Sequence, residues 1–420
     1  MEVASTKLWN RDFSLLIIGQ TVSLFGNMIL SFALPLYILD ISGSAALFGL
    51  VLSLPYISLI IVSPVGGIIA DRLRKQRIMF WLDAATTVII VLYMAVSGLF
   101  AAIVPVVIVK LMALNAIQGL YLPAVQASVP LLVPTDKLVP ANAVVSIINM
   151  LSSMAGIAIA GVLYARFGLF PILAVSAICF AITAAMDLLI RIPFKKQESH
   201  DSLVKMVKSD MSLSAKFMVK EKPVIAKCAF IAFLMQVSLA SMLVVGIPVL
   251  ITQHLNKGMD LVGYSQSIMM VGGLAGAIIA SSLGAKLTIG KMPLMLLFGS
   301  LAVMPIGLIF MFELPAMLTY IIMTAACALA MCALQIAQIQ FFAFIQEETP
   351  SELTGKVMSL IVMMPFVASA LGYLIYGVLF EQFKTLPWVV IFITIFISAM
   401  IAAYARGQFK TVGQSPVVRP

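Results

Sequence analysis

Leu47–Phe80 reads LFGLVLSLPYISLIIVSPVGGIIADRLRKQRIMF, and Leu261–Leu294 reads LVGYSQSIMMVGGLAGAIIASSLGAKLTIGKMPL. Laid over each other at a spacing of 214 residues, they match Gly49 to Gly263, Arg72 to Lys286 and Arg77 to Lys291. Each block is an apolar run long enough for a hydrocarbon core about 30 Å thick, closed by basic residues. A second echo joins LVPTDKL (Leu132–Leu138) to ETPSEL (Glu348–Leu353). Such repetition predicts two halves built on one plan. Asp71 falls opposite Ala285, so that acid belongs to the first half alone.

Outward from these blocks the whole chain is apolar. Its 420 residues are 62% hydrophobic and 10% charged, with a mean hydropathy of +1.12. A soluble domain carries about 25% charged residues. Spanning segments must satisfy their own backbone hydrogen bonds, so the apolar runs are read as helices. They fall at 13–37, 46–70, 78–97, 103–123, 141–165 and 169–190, then at 224–251, 263–285, 292–311, 315–344, 356–380 and 388–404. The reading is an all-α membrane protein with twelve transmembrane helices in two six-helix halves. Residues 1–190 form the first half, 191–223 a linker, 224–405 the second half and 406–420 a tail. The short polar Met1–Arg11 segment does not resemble a cleavable signal.

With both termini in the cytosol, the inside segments hold 22 of the 26 Lys and Arg residues. The outside loops hold only Arg166, Lys257 and Lys384, and Lys110 lies within a span. That asymmetry orients the chain. The pI near 9.4 is therefore a topology signal, with no nucleic-acid partner implied. In the linker, Leu203, Met206, Val207, Met211, Phe217 and Met218 recur among lysines at roughly helical spacing. They suggest amphipathic helices on the inner leaflet, against a plain solvated linker.

Gly67-x3-Asp71-Arg72-x4-Arg77 resembles the signature between the second and third helices of the major facilitator superfamily. FSLLIIGQTVSLFGN (Phe13–Asn27), YLPAVQASVPLLVPTDKLVPANA (Tyr121–Ala143), IRIP (Ile190–Pro193) and IQEETPSELTGKVMSL (Ile345–Leu360) resemble its macrolide-efflux-like branch, which also contains siderophore exporters. Two departures stand out. The signature's inner glycine is Arg74 here. The Gly-Pro of the fifth helix in many drug–proton antiporters is Gly156-Ile157, followed by Ala160-Gly161. The resemblance implies alternating-access transport in a bacterial plasma membrane, by a monomer. It also implies that Asp71 bridges the halves at the cytosolic face. There it would cap the start of the eleventh helix near Thr354-Gly355-Lys356, with Gly67, Arg72, Arg77 and Lys356 completing a conformational gate. A carboxylate suits a helix N-terminus, where N–H groups are unpaired and the dipole is positive.

The resemblance also implies that the first, fourth, seventh and tenth helices line a cavity. Gln20, Ser23, Asn27 and Ser31 form one polar stripe on the first. Thr324, Gln335 and Gln338 share a face of the tenth, and Gln236 is a lone polar residue in the seventh. Asn142, Ser146, Asn149 and Ser153 make a stripe on the fifth. Each stripe could instead join helix to helix, the reading favoured for the fifth. Lys110, on one face with Ile117 and Tyr121, is an ionisable group inside a span and hence a candidate for function. Its alternative is to snorkel to the outer surface. Asp40, Asp83 and Lys110 are the candidate proton carriers. Asp40, Glu313 and Glu381 fall at outer ends, Asp83 and Asp187 near inner ends, and Asp83 is expected to pair with the Arg72–Arg77 cluster.

The cavity reads as neutral and apolar, in a chain with 27 Met and 25 Phe, which suit bulky amphiphilic guests. The expected function is proton-coupled export of amphiphilic molecules, drug-like or siderophore-like. A lipid or lysolipid flippase, an uptake permease and a non-transporting sensor are the alternatives. His200 and His254 stand far apart, and Cys179, Cys228, Cys327 and Cys332 lie in or beside spans. No metal site, cofactor, phosphate loop or enzymatic activity is expected.

Overall fold

The computed structural model describes residues 8–96, 103–134, 137–193, 211–283, 289–312 and 314–409. Lys286, His200, Glu313, Leu203, Met206 and Val207 lie outside these residues, as do the side-chain surroundings of Gly67 and Asp71. The described residues are almost all helical, with twelve helices among them long and apolar enough to cross a membrane. They are α1 Arg11–Ser42, α2 Ala45–Arg72, α3 Lys75–Val96, α4 Ile103–Leu132, α5 Leu138–Phe167 and α6 Leu169–Leu189. Then come α7 Pro223–His254, α8 Met259–Leu283, α9 Ile289–Met311, α10 Ala316–Glu348, α11 Ser351–Gln382 and α12 Pro387–Phe409. This is a multi-pass membrane protein.

Several helices outrun the apolar runs that announce them. α1 continues to Ser42 and α10 to Glu348. A helix satisfies its backbone wherever it goes, so polarity alone does not stop it. Proline does interrupt one: α9 breaks at Val303, just before Met304-Pro305, where the ring removes a donor.

Two compact units make up the chain. The first takes in the described parts of Met1–Ser42, Leu54–Leu203 and Gly258–Tyr264; the second takes in those of Gly43–Ser53, Val204–Lys257 and Ser265–Pro420. In the first, α1 is the most buried of the spans and packs on α5 and α6. Its core gathers Phe13, Leu16, Met79, Tyr121 and Val125. Gly26 lets α6 approach so closely that a Cβ there would meet that of Cys179 at 2.8 Å, and Ser176 Oγ donates to the Gly26 carbonyl at 3.0 Å. In the second unit α7 is the most buried span and packs on α11.

The glycines matched by the internal repeat do the same work twice. Gly263 of α8 crosses Gly161 of α5 in the first unit, where a Cβ would lie 3.0 Å from the Gly161 Cα. Gly49 of α2 crosses Gly377 of α11 in the second, where a Cβ would lie 2.8 Å from the Gly377 Cα. Small residues at such crossings let backbones touch in a membrane. Gly161 of the altered fifth-helix motif is thus a packing residue.

The linker departs from expectation. Residues 211–216 are helical and lead into a π-helical turn, Phe217–Glu221. Phe217 and Met218 are buried against the protein and so unavailable to a leaflet, while Met211 is exposed.

Candidate functional site

A cavity of about 830 Å³ opens within the second unit. α7 contributes Ala229, Ala232, Phe233, Met235, Gln236 and Ala240; α10 contributes Met331, Leu334, Gln335, Ala337, Gln338, Phe341 and Phe342. Met292 and Leu296 of α9 and Ile361, Met364 and Pro365 of α11 complete it. Gln236, Gln335 and Gln338 are therefore brought together in one wall, and no charged side chain joins them. Two backbone irregularities frame the space. α7 widens into a π-turn at Gln236–Ala240, a feature frequent at functional sites. In α11, Pro365 has no N–H to give the Ile361 carbonyl, and both residues line the cavity. Gln236 is held from behind, its Nε2 donating to Ser369 Oγ at 2.9 Å.

Thr324, three turns before Gln335 on α10, does not line the cavity. Its hydroxyl meets Ser265 of α8 at 3.1 Å in a buried pair. Polar groups buried in a helical membrane protein pair across helices in this way. The sequence missed the share of α9 and α11, although Met292-Pro293 and Met364-Pro365 carry a signal: proline frees backbone groups.

The first unit holds a different constellation. Asp83 of α3 and Asp187 of α6 are both almost fully buried, near enough to interact electrostatically. Ser23 of α1 and the Tyr121 phenol are close neighbours of Asp83. Asp83 Oδ2, Asp187 Oδ2 and Gln20 Oε1 are buried without a partner. The expected pairing of Asp83 with Arg72–Arg77 does not occur. Those side chains belong to the turn between α2 and α3, while Asp83, two turns into α3, faces the interior. Asp187 was legible only as an end residue, because nothing local reports that α1, α3 and α6 converge on it.

The α1 stripe finds partners inside the bundle. Gln20 Nε2 donates to Asn149 Oδ1 at 3.4 Å, so Asn149 does bind helix to helix. Asn142 and Ser146 are exposed and bond carbonyls of their own helix, as does Ser153. Asn27 is buried and Ser31 half-buried. Asp40 is exposed at the end of α1, accepting from the Tyr164 hydroxyl at 2.9 Å.

Lys110 does not snorkel. It is 4% exposed, its ammonium 3.9 Å from the centroid of the Tyr93 ring of α3, with no hydrogen-bond acceptor. Burying a cation with only an aromatic face is unfavourable, so the residue is retained against stability. Lys110→Met, which keeps the stem and removes the charge, is expected to raise the melting temperature while lowering transport, the trade expected of a functional group. An unchanged or lower melting temperature in detergent would show that Lys110 is a stabilising contact.

The fold is that of known transporters. Over 96% of this chain and all of the other, the nucleoside transporter NupG superposes with a TM-score of 0.76 at 14% identity. A bacterial homologue of the iron transporter ferroportin, in its inward-facing state, gives 0.72 at 16%, covering 96% of this chain and 99% of that one. A bacterial homologue of the human lysosomal transporter Spinster gives 0.71 at 12%, covering 98% and all of it. Among curated sequences, Macrolide efflux protein A of Streptococcus pyogenes is 27% identical over 191 residues, 44% of this chain. The match spans 46% of that relative's length. The Major Facilitator Superfamily model matches residues 16–373. The chain belongs to that superfamily.

In this facilitator a carboxylate does cap a helix start between α2 and α11, at the opposite ends from Asp71 and Thr354. Glu381, near the end of α11, accepts from the Ala46 N–H at 3.2 Å and from the Ser44 hydroxyl at 2.9 Å, at the first turn of α2. Ser53 Oγ extends the seam to the Ala370 carbonyl at 2.6 Å. A carboxylate at a helix N-terminus contributes about 0.3–1 kcal/mol. Glu381→Gln is expected to loosen the seam about two- to fivefold. Spin labels at Leu47 and Lys384 would report it as a larger separated population; unchanged distances would show that Ser53 and the Gly49–Gly377 crossing suffice.

Proposed function

We propose that this facilitator is a secondary active exporter of amphiphilic small molecules, of drug-like or siderophore-like character, driven by protons. The observation that carries the reading is the cavity of α7, α9, α10 and α11, where three glutamines stand among Met and Phe side chains without a charge. Thioethers and aromatic rings repack around bulky apolar bodies, while amides bond scattered ether, hydroxyl or carbonyl groups. The partial similarity to a macrolide efflux protein supports this substrate class.

For coupling, the reading favours Asp83 with Asp187. Two buried carboxylates whose outer oxygens lack partners suit a proton that must be taken up and released. Tyr121 and Ser23, the latter a member of the α1 stripe, lie beside them. Asp40, hydrogen-bonded at an exposed end, suits an entry point, and Asp71 with Arg72, Arg77 and Lys356 suits a gate. The charge asymmetry supports cytosolic termini, in a bacterial plasma membrane.

Flux into proteoliposomes tests the proposal. With an imposed pH gradient, a radiolabelled macrolide should accumulate against its concentration, and a protonophore should abolish this. Accumulation that ignores the pH gradient would remove the proton. No movement of macrolide or of any amphiphilic dye would remove the substrate class.

A further inference from the structure

The turn between α2 and α3 builds a second pocket, in the first unit, beside the gate that the transport reading assigns to Arg72 and Arg77. Its cavity of about 1090 Å³ is lined by Arg72, Arg74 and Arg77 together with Ile69, Leu73, Ile78, Trp81, Leu82 and Leu120. Three arginines thus line one largely apolar groove. The indole of Trp81 is 67% exposed and Leu73 55%. A topology signal accounts for arginines at this end of the bundle, yet does not require that they line one groove, and solvated arginines gain by spreading apart.

The backbone adds positive potential at the same place. α3 starts at Lys75, and the Arg74 carbonyl accepts from the Arg77 and Ile78 N–H groups at 2.9 and 3.1 Å. Its first turn contains no acidic residue, so the positive helix end and its leading N–H groups lack an anionic side chain there. Among the described residues no salt bridge engages the three arginines. Gln76, the remaining polar side chain of the turn, is turned to the Ile192 N–H at 3.1 Å.

We propose that this groove is a binding site for one anionic phospholipid. Its phosphate would be gripped by Arg72, Arg74 and Arg77 over the start of α3, its acyl chain laid along Leu73, Trp81 and Leu120. Guanidiniums match phosphate oxygens in forked pairs and are weakly hydrated, which suits a headgroup at the membrane boundary. Trp81 occupies the interfacial place where indoles anchor. Free phosphate would use the arginines but leave the apolar wall exposed to water, so the wall decides for the lipid.

Trp81 is itself the reporter. In a Trp9→Phe/Trp388→Phe background it is the sole tryptophan of the full chain. The protein is reconstituted into phosphatidylcholine vesicles containing either brominated phosphatidylglycerol or brominated phosphatidylcholine, and quenching of Trp81 is compared. One arginine at an anionic surface favours it by roughly fivefold, so three on one headgroup predict a preference of at least about tenfold for the anionic lipid. Arg74→Gln/Arg77→Gln should lower the ratio to the roughly fivefold or less that Arg72 alone supports. If the double variant fails to fold, Arg74→Gln alone should lower the ratio by about fivefold. Inorganic phosphate at 100-fold excess over the lipid should leave quenching unchanged. Equal quenching by both lipids, a preference undiminished in the double variant, or displacement by phosphate would each overturn the proposal.

Discussion

Replacing Asp83 and Asp187 together by asparagine should leave the protein folded and end gradient-driven transport. Both carboxyls are buried and interact with each other and with Tyr121, and among the described residues no salt bridge engages them. Two such groups contribute no ion-pair energy, and isolated buried charge is costly, so asparagine is expected to raise the melting temperature. Loss of the proton carrier should lower uptake driven by a pH gradient by roughly two orders of magnitude, the scale on which one positioned proton-transfer group acts. Substrate exchange without a gradient needs no net proton movement and should persist. That split separates a coupling role from general damage. Equal loss of exchange and driven uptake would mean that the pair only holds α1, α3 and α6 together. Undiminished driven uptake would remove these residues from coupling altogether.

The helices were legible because a bilayer imposes one rule on every segment that crosses it. Runs of apolar residues had to be helices, and the matched Gly49 and Gly263 correctly announced a twofold plan. The same sequence could not say what those glycines touch. Their partners, Gly377 and Gly161, lie hundreds and about one hundred residues away, and a crossing point has no local signature. Gln236, Gln335 and Gln338 could be picked out because an amide in an apolar run is conspicuous. Their convergence on one cavity follows from the packing of α7 against α10. Asp83 was misread for the opposite reason. Proximity in sequence suggested the arginines of the turn, but two helical turns carry a side chain well past the loop and the interior faces of α1 and α6 claim it. Lys110 shows the limit of depth arguments: counting residues from a helix end gives height in the membrane, while the Tyr93 ring that covers the ammonium belongs to another helix.

The cavity makes the second strong prediction. Gln335→Leu/Gln338→Leu keeps the volume of the α10 wall and removes two amides that line the cavity. An amphiphilic guest would then bury its polar groups unpaired, at about 1–3 kcal/mol for each lost hydrogen bond. Two such losses predict binding weaker by roughly 30-fold to 20,000-fold for a macrolide rich in oxygen atoms. A purely hydrocarbon dye of similar size asks nothing of the amides and should bind as before or better. Gln236 behaves differently, because its bond to Ser369 Oγ ties α7 to α11. Gln236→Leu frees that hydroxyl as well, so stability and affinity should fall together, and Gln236→Glu would bring a charge to a wall that has none. Equilibrium binding to the purified protein, measured with both guests, reads the contrast directly. If the double leucine variant weakens the two guests alike, the glutamines shape the wall without recognising polar groups. If it weakens neither, the guest binds elsewhere and this cavity is not the substrate site.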